Sequence, residues 1–328
     1  MTTEADSGLD QLQVRVESGV ERIESLLVER TRSDDGMVTE AARHLLEAGG
    51  KRFRPLLTVL AAQFGDPEHE DVIKAGVVVE LTHLATLYHD DVMDEAPRRR
   101  GAPSANSRWD NSVAILVGDF LFARASALVA DLGTEAVRIQ AETFARLVHG
   151  QIKETVGPKD GENLLDHYLQ VVADKTGSLI AASALLGAKM SGANAEVQET
   201  LLAFGERIGV AFQLADDIID IASESEDSGK TPGTDLREGV PTLPTLYILT
   251  SDDPAEAELK QRLSAPITDE VLVAKTLEEL RGHTALKQAR DYVLGEAEAA
   301  RALLADLPTG AARDALDALC DRVVNRIA

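Results

Sequence analysis

The chain has 328 residues, 44% of them hydrophobic, one cysteine and a formal net charge of −23. So acidic a chain excludes nucleic acid as a partner, because phosphates demand a basic face; it admits small anionic ligands wherever cations gather locally. Cys320 has no second cysteine to pair with, which fits a reducing cytoplasm, and the longest uncharged apolar run, GSLIAASALLGA at 177–188, is shorter than the ~20 residues of a membrane span.

The polar start MTTEADSGLD reads as neither a signal peptide nor a lipid anchor, and residues 1–8 are expected to be flexible. LDQLQVRVESGVERIESLLVER (9–30) follows, with apolar residues at three- and four-residue spacing, and predicts a helix. GGKRFRP at 49–55 combines two glycines, three cations and a proline suited to a first helical turn. Backbone amides and cationic side chains can converge there on one anion. After the break GDPE (65–68) comes the apolar helical run VVVELTHLATLYH, which ends in DDVMD (90–94) and is stopped by APRRRGAP (96–103). Further breaks fall at VGPKDGEN (156–163), SGKTPGTDLREGVPTLP (228–244) and LPTG (307–310); 193–222 has helical period, and Thr284 to Ala328 reads as two amphipathic helices split by LPTG. Alanine, leucine and glutamate dominate and no alternating strand pattern appears. No short repeat or flexible linker divides the chain. These features predict a soluble, all-α protein of about ten helices, with residues 1–328 forming a single domain.

One signature occurs twice. DDVMD at 90–94 returns as DDIID at 216–220, each at the end of a mostly apolar helical run. Four-residue spacing puts Asp90 and Asp94 on one helix face with Asp91 beside them, and Asp216, Asp217 and Asp220 repeat the pattern. One such cluster is ordinarily a solvated helix end. Two copies facing each other would hold six carboxylates around one cavity, which requires cations. All-oxygen ligands suit Mg²⁺, which binds through carboxylates, substrate phosphates and water; no His/Cys set accompanies them, so zinc does not fit.

Cations for the phosphates lie in loops and at helix starts. They are Lys51 and Arg54 in GGKRFRP, Arg99 and Arg100 just past the first acidic cluster, Lys175 followed by Thr176 in DKTGSL, and Lys230 in SGKTPG. GKT here is not a nucleotide P-loop, because position 224 is Glu where that loop needs Gly. His83 precedes Asp90 by two helical turns, and Gln213 precedes Asp216 by three residues, so both point toward the acids.

Taken in order, GGKRFRP, HDDVMDEAPRRRG, DKTG, QLADDIID and GKTPGTD resemble the trans-isoprenyl diphosphate synthase (polyprenyl synthetase) family from about Gly49 to Pro244. The resemblance implies the isoprenoid synthase fold, a single large helical bundle around a central cavity, as a homodimer. It implies a Mg²⁺-dependent prenyltransferase that condenses isopentenyl diphosphate with a geranyl, farnesyl or geranylgeranyl diphosphate. Asp90, Asp94 and Asp216 would bind the metal, with Asp91, Asp217 and Asp220 acting directly or through water. Lys51, Arg54, His83 and Arg100 would hold isopentenyl diphosphate. Arg99, Lys175 and Lys230 would hold the allylic diphosphate, and Thr176 and Gln213 would line the developing carbocation. Two departures stand out: Val240 occupies the position of a lysine found in many relatives, and Ala96-Pro97-Arg98 replaces a frequent Ala-Asp pair.

In this family bulky residues four and five positions before the first aspartate stop chain growth early. Here these are Thr86 and Ala85, with Thr82, Val79 and Val78 deeper, which implies a long all-trans polyprenyl diphosphate of the kind used for menaquinone side chains. Leu121 and Phe122 are candidates for a floor that would cap the tunnel and give a short-chain product instead. Release of a long product would involve transient contact with a membrane surface. A class I terpene cyclase shares DDxxD, but DDIIDIASE puts Asp220 where its second metal motif has Ser or Thr, and it lacks the Lys51/Arg54 site. A non-catalytic partner subunit would have lost aspartates, and a purely structural helical scaffold leaves the doubled motif without a reason.

Overall fold

The computed structural model describes residues 2–223 and 232–327. In chain order these form α1 (Thr2–Arg30), α2 (Gly36–Glu47), α3 (Phe53–Ala62), α4 (Glu70–Met93), the strands β1 (Arg98–Arg99) and β2 (Ala102–Pro103), α5 (Ala105–Arg108), α6 (Asn111–Ala130), α7 (Thr134–Val156) and α8 (Leu164–Val172). A π-helical turn, Ala173–Gly177, leads into α9 (Ser178–Met190). There follow α10 (Ala195–Ala222), α11 (Thr234–Glu238), α12 (Leu243–Leu249), α13 (Ala257–Leu263), α14 (Glu270–Gly282), α15 (Thr284–Leu303) and α16 (Ala311–Asn325). The chain is all-α, as its composition predicts, apart from the one small hairpin.

Element boundaries follow from local chemistry. Asp35, Asp110, Asn163 and Asp269 each accept backbone amides at the start of α2, α6, α8 and α14, satisfying donors that a helix cannot pair internally. The segment 96–103, expected only as a break, pairs Arg98 with Pro103 and Arg99 with Ala102. Arg100 (φ 53°) and Gly101 (φ 78°) form its two-residue turn, both left-handed as the tightest hairpin turn requires.

Two compact units divide the chain. One takes in Met1–Ala145, Leu179–Gly205 and Asp306–Leu316; the other takes in Arg146–Ser178, Glu206–Ala305 and Asp317–Ala328. In the first, α4 buries Ile73, Ala75, Val77, Val78, Val79 and Leu81, residues that point in every direction around its axis, so the helix is enclosed rather than amphipathic. α1 crosses it at Gly76, where an added Cβ would lie 2.3 Å from Ile23 Cδ1. The buried Tyr88 hydroxyl donates to Ala41 O at 2.5 Å and accepts from Leu45 N at 3.2 Å, tying the last turns of α4 to α2. In the second unit, Ile208, Leu214, Ala215, Ile218 and Ile221 of α10 are buried, as are Val171, Val172, Leu243 and Leu246.

Candidate functional site

The first acidic cluster closes α4. Asp90 is half-buried, Asp91 fully buried, and Asp94 caps the helix on the surface. The hairpin then folds Arg99 back: its Nε donates to Asp91 Oδ1 at 2.6 Å, and its Nη2 stands 3.9 Å from Asp94 Oδ2. Burial pushes the Asp91 carboxyl above the usual range, against the pull of Arg99. Asp91 Oδ2 is buried with no hydrogen-bond partner among the described residues. Both features mark a carboxyl whose ionised form an added cation would favour.

Beside it lies a concentration of positive charge. The loop before α3 has Gly49 (φ 102°), Gly50 (φ 138°) and Arg52 (φ 47°) in left-handed or extended-positive conformations. At Gly50 an added Cβ would come within 2.8 Å of Arg52 Nη1 and 2.9 Å of Arg100 Cζ, so only glycine lets the two guanidiniums lie this close to the backbone. Arg100 donates to Leu45 O at 2.7 Å and Gly49 O at 2.5 Å, joining the hairpin to this loop. Arg52 is used structurally: it reaches Glu24 at 3.1 Å, the buried Glu80 at 3.4 Å and Leu46 O at 2.8 Å. His83, on α4, feels this field. Its pKa is held well below the ordinary value by burial and then by Arg54, Arg100, Arg99 and Arg52, so the ring is neutral among guanidiniums. The structure thus brings Arg54, His83, Arg99 and Arg100 together, with Lys51 exposed at the loop's edge.

The second unit carries the second cluster on the last turns of α10. Arg326, just past α16, ion-pairs with Asp216 and places its guanidinium 4.9 Å from the centre of the Phe212 ring. Asp217 is 9% exposed and accepts from the Tyr168 hydroxyl and, at 2.9 Å, from Gln213 Nε2. Burial raises its pKa to about 6 despite those two donors. Asp220 accepts from the amides of Thr234 and Asp235, each at 3.2 Å, and so caps the start of α11. Gln213 Oε1 in turn accepts from Thr176 Oγ1 at 3.0 Å.

Lys175 and Thr176 sit on the π-helical turn, a distortion that often marks functional positions. Lys175 pairs with Glu154 at 2.5 Å. Arg146 clamps the turn by donating to Asp174 Oδ1 at 2.7 Å and to both oxygens of Glu206, while Lys153 stands 3.5 Å from Asp174 Oδ2. The turn can approach α7 because residue 150 is glycine: a Cβ there would lie 2.6 Å from Lys175 N. Gly150→Ala is therefore expected to displace the turn. Its clash, costing roughly 1–3 kcal/mol, outweighs the ~1 kcal/mol that alanine otherwise adds to a helix. A lowered melting temperature is the readout.

Lys230 lies outside the described residues. Val240, in the expected lysine's place, is exposed. Sequence reasoning missed Tyr168, Glu154, Arg146 and Arg326. Only Tyr168 had a usable signal, since it stands seven residues before Lys175. Among the described residues no three acids, histidines or cysteines already form a metal cage. Mg²⁺ does not need one, because it binds through one or two carboxylates and completes its shell with phosphate oxygens and water. The exclusively oxygen donor set, with the orphaned Asp91 oxygen, fits such an ion.

Comparison with known proteins gives one consistent result. The model of the polyprenyl synthetase family matches residues 35–280. A nonaprenyl diphosphate synthase from Mycobacterium tuberculosis is 53% identical, over 95% of this chain and 93% of that protein. The crystal structure of a geranylgeranyl pyrophosphate synthase from Corynebacterium glutamicum, complexed with calcium and isoprenyl diphosphate, superposes with a TM-score of 0.87 at 47% identity, covering 97% of this chain and 98% of that one. A polyprenyl synthase from Caulobacter crescentus, likewise complexed with calcium and isoprenyl diphosphate, gives 0.90 at 36% identity, covering 98% of each chain.

Proposed function

Because this chain belongs to the polyprenyl synthetase family, we propose that it is a divalent-metal-dependent prenyltransferase that adds isopentenyl units to an allylic diphosphate until a long all-trans polyprenyl diphosphate is made. The observation that carries this reading is the repeated acidic helix end, DDVMD and DDIID, accompanied by loops of cations. The family match takes in residues of both compact units, which supports reading them as one catalytic domain. The calcium in the related structures supports a divalent site. Mg²⁺ is the ion proposed here, since it prefers carboxylates together with substrate phosphates.

Asp90, Asp94 and Asp216 would hold the metal, with Asp91, Asp217 and Asp220 around them. A divalent ion held there would supply positive charge that offsets the charge of the leaving allylic diphosphate. Arg99, Lys175 and Lys230 add charge-assisted hydrogen bonds to the same leaving group. The Thr176 hydroxyl and the Gln213 carbonyl oxygen turn negative dipole ends toward the allylic cation, and the alkene of isopentenyl diphosphate attacks it. Lys51, Arg54, His83 and Arg100 hold that second diphosphate. The released diphosphate takes the final proton, so no side-chain base is required. Ala85 and Thr86 on α4 carry no bulky side chain to stop the growing tail, which supports the long product.

A homodimer is proposed as well. α6 has a mean hydropathy of 1.9 over its apolar window, of which 39% is buried, and Ile115 and Leu116 are exposed on it. A second copy would cover such a face. Leu164–Met190 passes the same length and hydropathy test but is 78% buried, as a core helix is. The chain's one cysteine, Cys320, is buried, its thiol pushed up to about 11 chiefly by burial, and a single cysteine supports a cytoplasmic location. Transient contact with a membrane surface would accompany release of so apolar a product.

The division of labour between the two diphosphates has a direct test. Lys51→Ala and Arg54→Ala are each expected to raise the KM for isopentenyl diphosphate about tenfold or more, while that for the allylic substrate stays within about twofold, because a charge-assisted phosphate contact acts locally. Equal effects on both KM values would contradict the assignment.

A further inference from the structure

On the proposed reading, Thr176 and Gln213 face the positive charge that develops on the allylic carbon. Neither side chain sets its own direction: a carboxamide can present oxygen or nitrogen, and a hydroxyl rotates. The direction comes from behind them. Asp217 is buried and offers only acceptors, so Gln213 turns its nitrogen to Asp217 Oδ1 at 2.9 Å. The carboxamide oxygen is thereby left on the Thr176 side, where it accepts from Oγ1 at 3.0 Å. The other oxygen of Asp217 accepts from the Tyr168 phenol. Facing an acceptor-only carboxylate, the phenol is the donor of that pair.

We infer that Tyr168 is a positioning residue for prenyl transfer: through Asp217 it holds the Gln213 carboxamide with its oxygen toward the reacting carbon, and Asp217 serves this chain of hydrogen bonds instead of ligating a metal ion. This rests on the proposed reaction and assigns a role that the acidic motif alone conceals. Removing the phenol hydroxyl leaves a buried carboxylate oxygen without its donor, so the Asp217 carboxylate can rotate off Gln213 and the carboxamide loses its fixed partner.

The test compares wild type with Tyr168→Phe, Asp217→Asn and the double variant Asp217→Asn/Gln213→Glu, each assayed with farnesyl diphosphate, isopentenyl diphosphate and Mg²⁺. Wild type that transfers no prenyl group would overturn the reaction itself, whatever the variants do. Given transfer, both single variants are expected to lose about tenfold or more in kcat, with KM for both diphosphates within about twofold. Mg²⁺ titrated calorimetrically into enzyme holding the unreactive analogue farnesyl thiodiphosphate should bind them as it binds wild type. The double variant should regain most of the lost kcat. The introduced asparagine accepts from Tyr168 and donates to the introduced glutamate, whose second oxygen again faces Thr176.

Three outcomes would overturn the inference. Unchanged kcat with a lowered melting temperature would make Tyr168 a packing residue only. Loss of Mg²⁺ affinity in Asp217→Asn would make Asp217 a ligand. A double variant no better than the single would show that the direction of the carboxamide does not matter. Should Tyr168→Phe fail to fold, the asparagine variants, which keep the side-chain volume, still decide the matter.

Discussion

Asp90→Ala and Asp216→Ala are each expected to lower turnover by a factor of about 10² to 10⁴ while leaving the helical content intact. A cation that offsets leaving-group charge contributes several kcal/mol to the transition state, and about 1.4 kcal/mol is a factor of ten. Neither side chain is part of the apolar core: both are half-buried at the ends of their helices. Asp216 has a structural partner in Arg326, one nitrogen of which is already buried without a hydrogen bond among the described residues. Asp216→Ala therefore also releases a partly buried cation, and its melting temperature is expected to fall. Steady-state kinetics at saturating Mg²⁺, with circular dichroism to confirm folding, decides the matter. Near-normal turnover in either folded variant would contradict the metal assignment.

Ala85→Phe is expected to shorten the product to a few isoprene units while sparing the first condensation. Ala85 lies five residues before Asp90, about 140° around the helix and roughly one turn deeper, so a ring there sits below the acidic cluster. It is only 1% exposed, and overpacking so enclosed a position costs roughly 1–3 kcal/mol of stability. Thr86 is half-buried, with its hydroxyl donating to His83 O at 2.8 Å, and offers more room. Thr86→Phe should shorten the product similarly at a smaller folding cost, so it carries the test if Ala85→Phe is unstable. Thr82, Val78 and Val79, deeper on α4, are buried, as is Leu121; Phe122 stacks on Phe144 at 4.1 Å. Mass spectrometry of the products from wild type and both variants is the measurement. An unchanged long chain from both would place the tail's path elsewhere.

Much of the fold was legible because its helices announce themselves through apolar periodicity and through breaks rich in glycine, proline and acids. The last two helices, α15 and α16, fall on either side of LPTG as read. The break at 31–35 before α2 went unread although TRSDDG (31–36) carries the serine, aspartates and glycine of a turn, with Asp35 as the N-cap. The hairpin at 98–103 escaped because its turn is Arg-Gly, not the Asn-Gly or Asp-Gly that signals such turns.

At the site, acids and cations could be found because charge spacing on a helix is a local property. Their partners could not. Which cation of GGKRFRP is structural depends on Glu80, 28 residues on, and the contacts of Asp217 with Tyr168 and of Asp216 with Arg326 span 49 and 110 residues. No local pattern encodes such pairings, which only the packed chain reveals. The double role of Asp220, an acid of the motif that also caps α11, is hidden for the same reason.

The most direct test of the function is to incubate the purified protein with farnesyl diphosphate, radiolabelled isopentenyl diphosphate and Mg²⁺, with and without a chelator, and to size the products. The expected result is metal-dependent incorporation into a long all-trans polyprenyl diphosphate, abolished by the chelator. Cyclised hydrocarbon released without incorporation of isopentenyl diphosphate, or no incorporation by well-folded protein, would contradict it.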